Sequence, residues 1–156
     1  MAGPKIGAKV KDFTADSTTG EPFRLSDARG QAVVLYFYPK DMTSGCTTES
    51  QEFRDLAARF KRSGAIILGV SRDSLKSHAK FREKEALPFH LLSDPEEKLC
   101  GQFDVIREKS LYGRKYMGIE RSTFLIDADG VLRQEWRKVK VAGHVEVVLE
   151  AVRSLG

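Results

Sequence analysis

The chain is organised around residues 32–46, which read AVVLYFYPKDMTSGC. The apolar residues at the start of this stretch favour a buried β-strand, and Pro39 ends it. The polar turn that follows leads into residues 47–62, where apolar side chains recur at helical spacing. Cys46 is therefore predicted to lie in the first turn of a helix, where free backbone N–H groups and the helix dipole favour a thiolate. This position predicts a reactive cysteine at the end of a central strand.

Composition and charge narrow the class of protein. The 156 residues include 41% hydrophobic and 31% charged residues and carry a formal charge of +4, which is typical of a single globular domain spanning residues 1–156. Basic residues are not gathered into a stripe with aromatic residues, so we expect no nucleic-acid binding. Residues 1–11 do not resemble a signal peptide, and no apolar run reaches the ~20 residues that span a bilayer. With only two cysteines, we expect a cytoplasmic protein without structural disulfides or membrane contact.

Strand and helix patterns place the turn in an α/β fold. Strand patterns occur at residues 13–16, 23–25, 65–71, 89–92, 122–127 and 131–136. Helical patterns follow at residues 47–62, 75–86, 95–103 and 145–152. The first two strands predict an N-terminal hairpin and the last two predict a hairpin at the sheet edge. Two early strand–helix–strand crossovers imply parallel strands at the centre, so we predict a three-layer α/β domain with a mixed sheet.

Three other residues of the turn suit chemistry at the Cys46 sulfur. Thr43 lies three residues before Cys46, so we expect its hydroxyl to reach the sulfur and donate a hydrogen bond to a thiolate. Pro39 has no N–H and is expected to shield the sulfur from water. Gly45 is expected to leave space beside the sulfur for an incoming molecule. The alternative for a lone cysteine is a buried, inert thiol, but the four residues together favour a reactive one.

Several segments of the chain resemble the peroxiredoxin family. The motif PKDMTSGC at residues 39–46 fits the signature Pro-x-x-x-Thr-x-x-Cys. The segments YGRK at 112–115 and GIERSTFLID at 118–127 fit its Q-type, or bacterioferritin-comigratory, branch. This resemblance implies a thioredoxin-like fold with an added N-terminal β-hairpin, and a thiol peroxidase that uses no cofactor and no metal. Cys46 would be the peroxidatic cysteine, which attacks hydrogen peroxide or an organic hydroperoxide and becomes a sulfenic acid.

The resemblance also implies roles for residues around Cys46. Thr43 would hold the sulfur and the peroxide in line. Arg121 would stabilise the thiolate and the charge that builds on the leaving oxygen. Glu49 lies one helical turn beyond Cys46, and its place in the family pattern implies that it orients the guanidinium of Arg121. A surface arginine and an acid that complements the helix dipole are the alternative interpretations of Arg121 and Glu49.

The chain departs from the family pattern at the second, resolving cysteine. Many members carry it five residues after the first, where this chain has Gln51, and others carry it near residues 81–84, where there is no cysteine. Cys100 lies among apolar residues at helical spacing, so we expect a core thiol rather than a resolving one. The hypothesis is a one-cysteine cycle in which thioredoxin, or glutathione with glutaredoxin, reduces the sulfenic acid of a monomeric enzyme. A two-cysteine cycle through Cys100 and a peroxide sensor that does not turn over remain alternatives.

Other chemistry finds little support in the sequence. A thiol-disulfide reductase would need a Cys-x-x-Cys motif, which the chain lacks. The three histidines, His78, His90 and His144, show no metal-ligand spacing, and we expect them to be structural or solvated. The segment DADG at residues 127–130 begins like a calcium loop but has no downstream ligands, so it predicts a hairpin turn.

Overall fold

The computed structural model describes residues 3–155. Its strands are β1 Thr14–Ser17, β2 Phe23–Arg24, β3 Ala32–Phe37, β4 Ala65–Ser71, β5 His90–Ser93, β6 Ile106–Leu111, β7 Arg114–Ile119, β8 Ser122–Ile126 and β9 Leu132–Trp136. Its helices are α1 Ser44–Arg62, α2 Leu75–Lys84, α3 Lys98–Gln102 and α4 His144–Arg153. No helix among these residues is both long and apolar enough to cross a bilayer.

The main sheet has seven strands in the order β2-β1-β5-β4-β3-β8-β9. Strands β3, β4 and β5 are parallel, whereas β1 and β8 pair antiparallel with β5 and β3. The predicted mixed sheet is confirmed, including the N-terminal hairpin and the late hairpin β8–β9 at the opposite edge. The turn after β3 leaves the carboxyl end of a central parallel strand, where open α/β sheets form their binding sites.

Successive side chains of β3 point to opposite faces of the sheet and belong to two separate core clusters. Val34 and Tyr36 contact the cluster on one face, which α1, α2 and α4 cover, and this cluster includes Cys46. Leu35 and Phe37 face the other cluster, which α3 covers and which includes Cys100. Because side chains in a strand point alternately to opposite faces, the sheet lies between the two thiols.

The structure departs from the sequence analysis at two places. Residues 106–119 form a second hairpin, β6–β7, outside the main sheet. The sequence analysis did not predict it because seven of its twelve strand residues are exposed, so it shows no regular apolar alternation. The short third helix begins at Lys98 rather than at residue 95, since Glu97 has a left-handed backbone at φ 60°.

A glycine allows β4 to pack beside the aromatic residues of β3. A Cβ atom at Gly69 would lie 2.8 Å from the Tyr36 ring, its hydroxyl and the Leu91 side chain. The Tyr36 hydroxyl forms a 2.9 Å hydrogen bond with Ser50 of α1. Side-chain atoms at Gly69 would therefore force apart β4, Tyr36 and the helix that carries Cys46.

We expect Gly69→Ala to destabilise the fold by about 1–3 kcal/mol, because it overpacks a filled core. Urea unfolding followed by circular dichroism measures this change. Gly101→Ala is the matched control: apart from its chain neighbours and the backbone of its own helix, no heavy atom of the described residues lies within 4 Å of its Cβ position, and alanine suits a helix. Equal unfolding midpoints for the two variants would contradict the prediction.

Candidate active site

Cys46 lies in the first turn of α1, as predicted, and its side chain is 0% exposed. The helix begins at Ser44, three residues earlier than the sequence indicated, and the Thr47 N–H donates to the Thr43 carbonyl at 2.8 Å. The sulfur belongs to the cluster that includes Tyr36 and Phe53. The first turn of α1 therefore presents a buried thiol at the carboxyl end of β3.

Arg121, which lies beside the sheet, contacts both Cys46 and Glu49 of α1. Its Nη2 lies 3.4 Å from the Cys46 sulfur, and its Nη1 donates to Glu49 Oε1 at 2.7 Å. The side chain is only 16% exposed. Arg121 immediately precedes β8, which pairs with β3, and its carbonyl accepts the Val139 N–H at 3.0 Å. The sheet thus holds a cation within hydrogen-bonding distance of the sulfur.

Glu49 is a buried acid with one unpaired oxygen. Its side chain is 0% exposed, and its Oε2 accepts no hydrogen bond from residues 3–155. Burial raises the pKa of Glu49 to about 7, and the nearby Arg121 only partly opposes this rise. Burial disfavours the charged form of Arg121, but the Glu49 carboxylate and the Cys46 sulfur favour it more strongly, so the pKa of Arg121 is raised. One guanidinium therefore faces two groups that can be anionic.

The structure corrects the hydrogen bond predicted for Thr43. Its hydroxyl donates to the Lys40 carbonyl at 2.8 Å, and among the described residues it makes no hydrogen bond with the Cys46 sulfur. Thr43 precedes the helix in an extended conformation, so its side chain turns back along the loop. A hydroxyl has one proton and two acceptor lone pairs; with the proton used here, Thr43 can still accept a hydrogen bond.

Gly45 and Pro39 frame the same turn. A Cβ atom at Gly45 would lie 3.1 Å from Nη2 of Arg121, so the space beside this glycine admits the guanidinium as well as any incoming molecule. Pro39 is half-buried directly after the buried Tyr38. The turn therefore presents Cys46 to Arg121, with the exposed Thr43 and the half-buried Gly45 beside it.

Cys100 lies apart from this site, as predicted for a core thiol. It is 0% exposed in the cluster on the other face of the sheet. Burial and the neighbouring Asp94 raise its pKa, which disfavours the thiolate that exchange chemistry requires. The Cys100 N–H also donates to Asp94 at 2.7 Å, which fixes α3 in place.

Sequence reasoning missed a polar network behind the turn and a second cation near it. Asp41, Asp73 and His78 bring ligand-type atoms within 4.8 Å of one another. Lys109 donates to the Ile119 carbonyl at 2.5 Å, and burial followed by the charge of Arg121 lowers its pKa. The acid in the middle of the PKDMT turn was a signal for the network, whereas Lys109 comes from the hairpin that the sequence did not predict.

Two of the predicted structural histidines are paired inside the fold. His144 lies 2.8 Å from the Thr123 hydroxyl, and burial, with a contribution from Arg121, lowers its pKa to about 4. His90 contacts the Thr18 hydroxyl at 2.9 Å. Each histidine therefore joins neighbouring elements through a threonine hydroxyl.

Comparisons with known proteins agree with this geometry. The sequence model of the AhpC/TSA family matches residues 6–135. Peroxiredoxin Bcp of Bacillus subtilis is 52% identical over 151 residues, which cover 97% of this chain and 96% of that protein.

Solved structures show the same likeness. Peroxiredoxin Q of Xanthomonas campestris superposes with a TM-score of 0.89 at 48% identity, covering 98% of this chain and 97% of that one. A complex of the bacterioferritin comigratory protein of Xanthomonas campestris, solved for insight into its alkyl peroxide reduction activity, has a TM-score of 0.89 at 47% identity. It covers 99% of this chain and 98% of its own.

The raised pKa of Glu49 predicts a pH-dependent stability. The pKa is 4.5 for an ordinary glutamate and about 7 in the fold, so the folded state binds this proton more tightly. The stability that this protonation contributes is full below pH 4.5 and is lost as the pH rises through about 7. We therefore expect the melting temperature of Glu49→Gln, relative to wild type, to increase as the pH rises across this range.

Thermal unfolding at about pH 5 and about pH 8 measures this difference. Glu83→Gln, on the exposed side of α2, is the control. A melting-temperature difference for Glu49→Gln that stays constant with pH would show that the glutamate keeps an ordinary pKa.

Proposed function

This chain belongs to the AhpC/TSA family and is a thiol peroxidase like its Bcp and Q relatives, and we propose that Cys46 carries its chemistry. The Cys46 thiolate attacks one oxygen of hydrogen peroxide or an organic hydroperoxide. The O–O bond breaks, sulfur gives up two electrons and becomes a sulfenic acid, and the other oxygen leaves with a proton as water or an alcohol. No cofactor takes part in this step.

The contact between Arg121 and Cys46 carries the proposal. A guanidinium 3.4 Å from the sulfur stabilises a thiolate by its charge and by hydrogen bonding. Its position also suits negative charge that grows on the leaving oxygen, and such preorganised donors contribute strongly to catalysis. Glu49 fixes the guanidinium through the 2.7 Å hydrogen bond and acts as a positioning residue.

Thr43, Gly45 and Pro39 complete the proposed site. Because the Thr43 hydroxyl donates to the Lys40 carbonyl, its lone pairs are available to accept the O–H of a peroxide. That interaction holds the peroxide in line with the sulfur, which replaces the direct bond to sulfur expected from the sequence. Gly45 leaves room for the approach, and Pro39 limits water at the thiol.

We further propose a one-cysteine cycle. Cys100 is buried on the opposite face of the sheet, and its raised pKa disfavours attack on Cys46. Gln51 stands where many relatives carry a resolving cysteine, and its amide donates to Glu85 at 2.7 Å. A sulfenic acid without an internal partner needs an external thiol, which forms a mixed disulfide and releases water.

Thioredoxin, or glutathione with glutaredoxin, is the proposed reductant of a monomeric protein. A second thiol from the reductant then attacks the mixed disulfide and restores Cys46. Two free cysteines suit a reducing compartment, so we place the enzyme in the cytoplasm. The absence of a resolving cysteine also favours a second candidate, a sensor that stops at the sulfenic acid; steady peroxide consumption with a thiol donor separates the two.

Replacing Arg121 tests the contact that carries the proposal. We expect Arg121→Gln to lower the rate constant of Cys46 oxidation by peroxide roughly a hundredfold or more, because the charge beside the sulfur is lost. Stopped-flow mixing of reduced protein with hydrogen peroxide gives this constant. Arg153→Gln on the exposed face of α4 is the control, and equal rates for both variants would refute the role of Arg121.

Intact mass after one equivalent of peroxide tests the one-cysteine cycle. With a sulfenic-acid trap present, we expect an adduct at Cys46, and without it a gain of roughly 16 Da. Cys100→Ala should give the same result and keep full turnover with a thiol donor. A loss of about 2 Da in the wild type that disappears in Cys100→Ala would establish an internal disulfide instead.

A further inference from the structure

The loop that leads to Cys46 contains a buried acid. Asp41 is only 5% exposed, whereas its neighbours Lys40 and Met42 are exposed. Its Oδ1 accepts the Tyr38 hydroxyl at 2.5 Å, and its Oδ2 accepts the Ser77 hydroxyl at 2.8 Å. Oδ2 also lies 2.7 Å from Nδ1 of His78. A carboxyl group that is buried this completely requires hydrogen-bond partners, and α2 supplies two of them.

His78 links Asp41 to the central sheet. Its Nε2 lies 2.9 Å from the Leu92 carbonyl, and its Nδ1 lies 2.7 Å from Oδ2 of Asp41. The ring is 0% exposed and the Asp41 side chain 1%. A buried, hydrogen-bonded pair therefore connects the loop to α2 and β5.

The groups around this pair come from three neighbouring elements. Tyr38 directly follows β3, and its hydroxyl also lies 3.4 Å from Nδ1 of His78. Asp73 lies between β4 and α2, and its Oδ2 accepts the Asp41 N–H at 2.9 Å. The Ser71 hydroxyl donates to the same oxygen at 2.5 Å. The two acids therefore do not face each other as unscreened charges, since each carboxylate has its own donors.

This network is not an empty metal site. Both oxygens of Asp41 and both nitrogens of His78 already make hydrogen bonds. A metal ion would have to displace the Tyr38 and Ser77 hydroxyls and the Leu92 carbonyl. Hydrogen bonds alone therefore account for the close approach of Asp41, Asp73 and His78.

The loop needs support because its backbone is strained. Met42 directly follows Asp41 and has φ 64°, a left-handed conformation that costs a residue with a side chain roughly 1 kcal/mol or more. The next residue, Thr43, supplies the carbonyl that receives the first hydrogen bond of α1. Fixing Asp41 therefore fixes the start of the helix that carries Cys46.

We propose that Asp41 and His78 are positioning residues, which hold the loop so that Thr43 and the Cys46 sulfur face the peroxide beside Arg121. The proposal rests on the proposed function, because it takes Cys46 as the reacting thiol. The backbone of Arg121 is anchored separately, directly before β8 and through Val139. Its guanidinium is held by Glu49, one helical turn beyond Cys46. A loop that shifts would move the sulfur and Thr43 relative to a guanidinium that stays, and small misplacements of reacting groups cost large factors in rate.

The test compares two reactions of the same sulfur. Oxidation by hydrogen peroxide needs the peroxide aligned with Thr43 and Arg121, whereas alkylation by iodoacetamide needs only the thiolate. Both rates are measured at a pH at which alkylation no longer rises with pH, so that a weaker contact with Arg121 does not change the thiolate fraction. We expect Asp41→Asn to slow oxidation about tenfold or more while alkylation changes less than about threefold. Asp55→Asn on the exposed side of α1 is the control and should change neither rate.

A milder pair of variants covers the case in which Asp41→Asn does not fold. Ser77→Ala removes one hydrogen bond to Asp41 from a half-buried helix residue and should slow oxidation roughly two- to fivefold without slowing alkylation. Ser77→Thr keeps the hydroxyl and should restore the oxidation rate. Unchanged oxidation in these variants, or equal losses in both reactions, would overturn the proposal.

Two outcomes separate this proposal from the proposed function. If wild-type protein consumes peroxide and Cys46→Ser does not, but the Asp41 and Ser77 variants oxidise at the wild-type rate, only the positioning role fails. If Cys46→Ser still consumes peroxide, Cys46 is not the reacting thiol and the proposed function fails as well.

Discussion

A guanidinium held inside the protein, between a thiol and a carboxylate, is the constraint on which the site depends. Arg121 contacts the Cys46 sulfur at 3.4 Å and Glu49 at 2.7 Å. Removing Arg121 would leave both the Cys46 sulfur and the buried Glu49 carboxyl group without the cation that they share, which is costly in a medium of low dielectric constant. The strand order brings β8 beside β3, so Arg121 and the turn that carries Cys46 meet at one end of the sheet. The contact between Arg121 and Cys46 therefore depends directly on the strand order of the sheet.

The alternation of β3 has a chemical consequence as well as a structural one. The residues of β3 that pack with Cys46 point to one face, and those that pack with Cys100 point to the other. Two thiols in one small domain are thereby kept in different clusters, in which one has a cation beside it and the other has an acid. Under the proposed function, the environment rather than the residue type distinguishes the reacting cysteine from the structural one.

The sequence was sufficient for the parts of the fold that a repeating pattern encodes. The apolar run before Pro39, the amphipathic helix and the hairpin β8–β9 all follow from burial, and the position of Cys46 follows from them. The family resemblance supplied Arg121, since no local pattern links residues 75 positions apart (121 − 46). The hydrogen bond predicted from Thr43 to the Cys46 sulfur was wrong because a hydroxyl can donate to any of several acceptors. The loop conformation decides that it donates to the Lys40 carbonyl. The Asp41–His78 pair depends on how α2 packs against the loop, and a single sequence does not encode that contact in any periodic pattern.

The network that holds the loop bears on the reaction cycle. A resolving cysteine in the same or the next helix can reach a sulfur that is 0% exposed only if the first turn of α1 opens. In this chain the Gln51 amide and the Arg54 guanidinium both bond Glu85 at the end of α2, and Asp41 joins the loop to the other end of the same helix. These contacts stabilise the closed site and oppose its opening. In the proposed one-cysteine cycle, this rigidity favours alignment of the peroxide with the sulfur. Its cost falls on the reducing side, where an external thiol has to reach a sulfenic acid at a position that is 0% exposed.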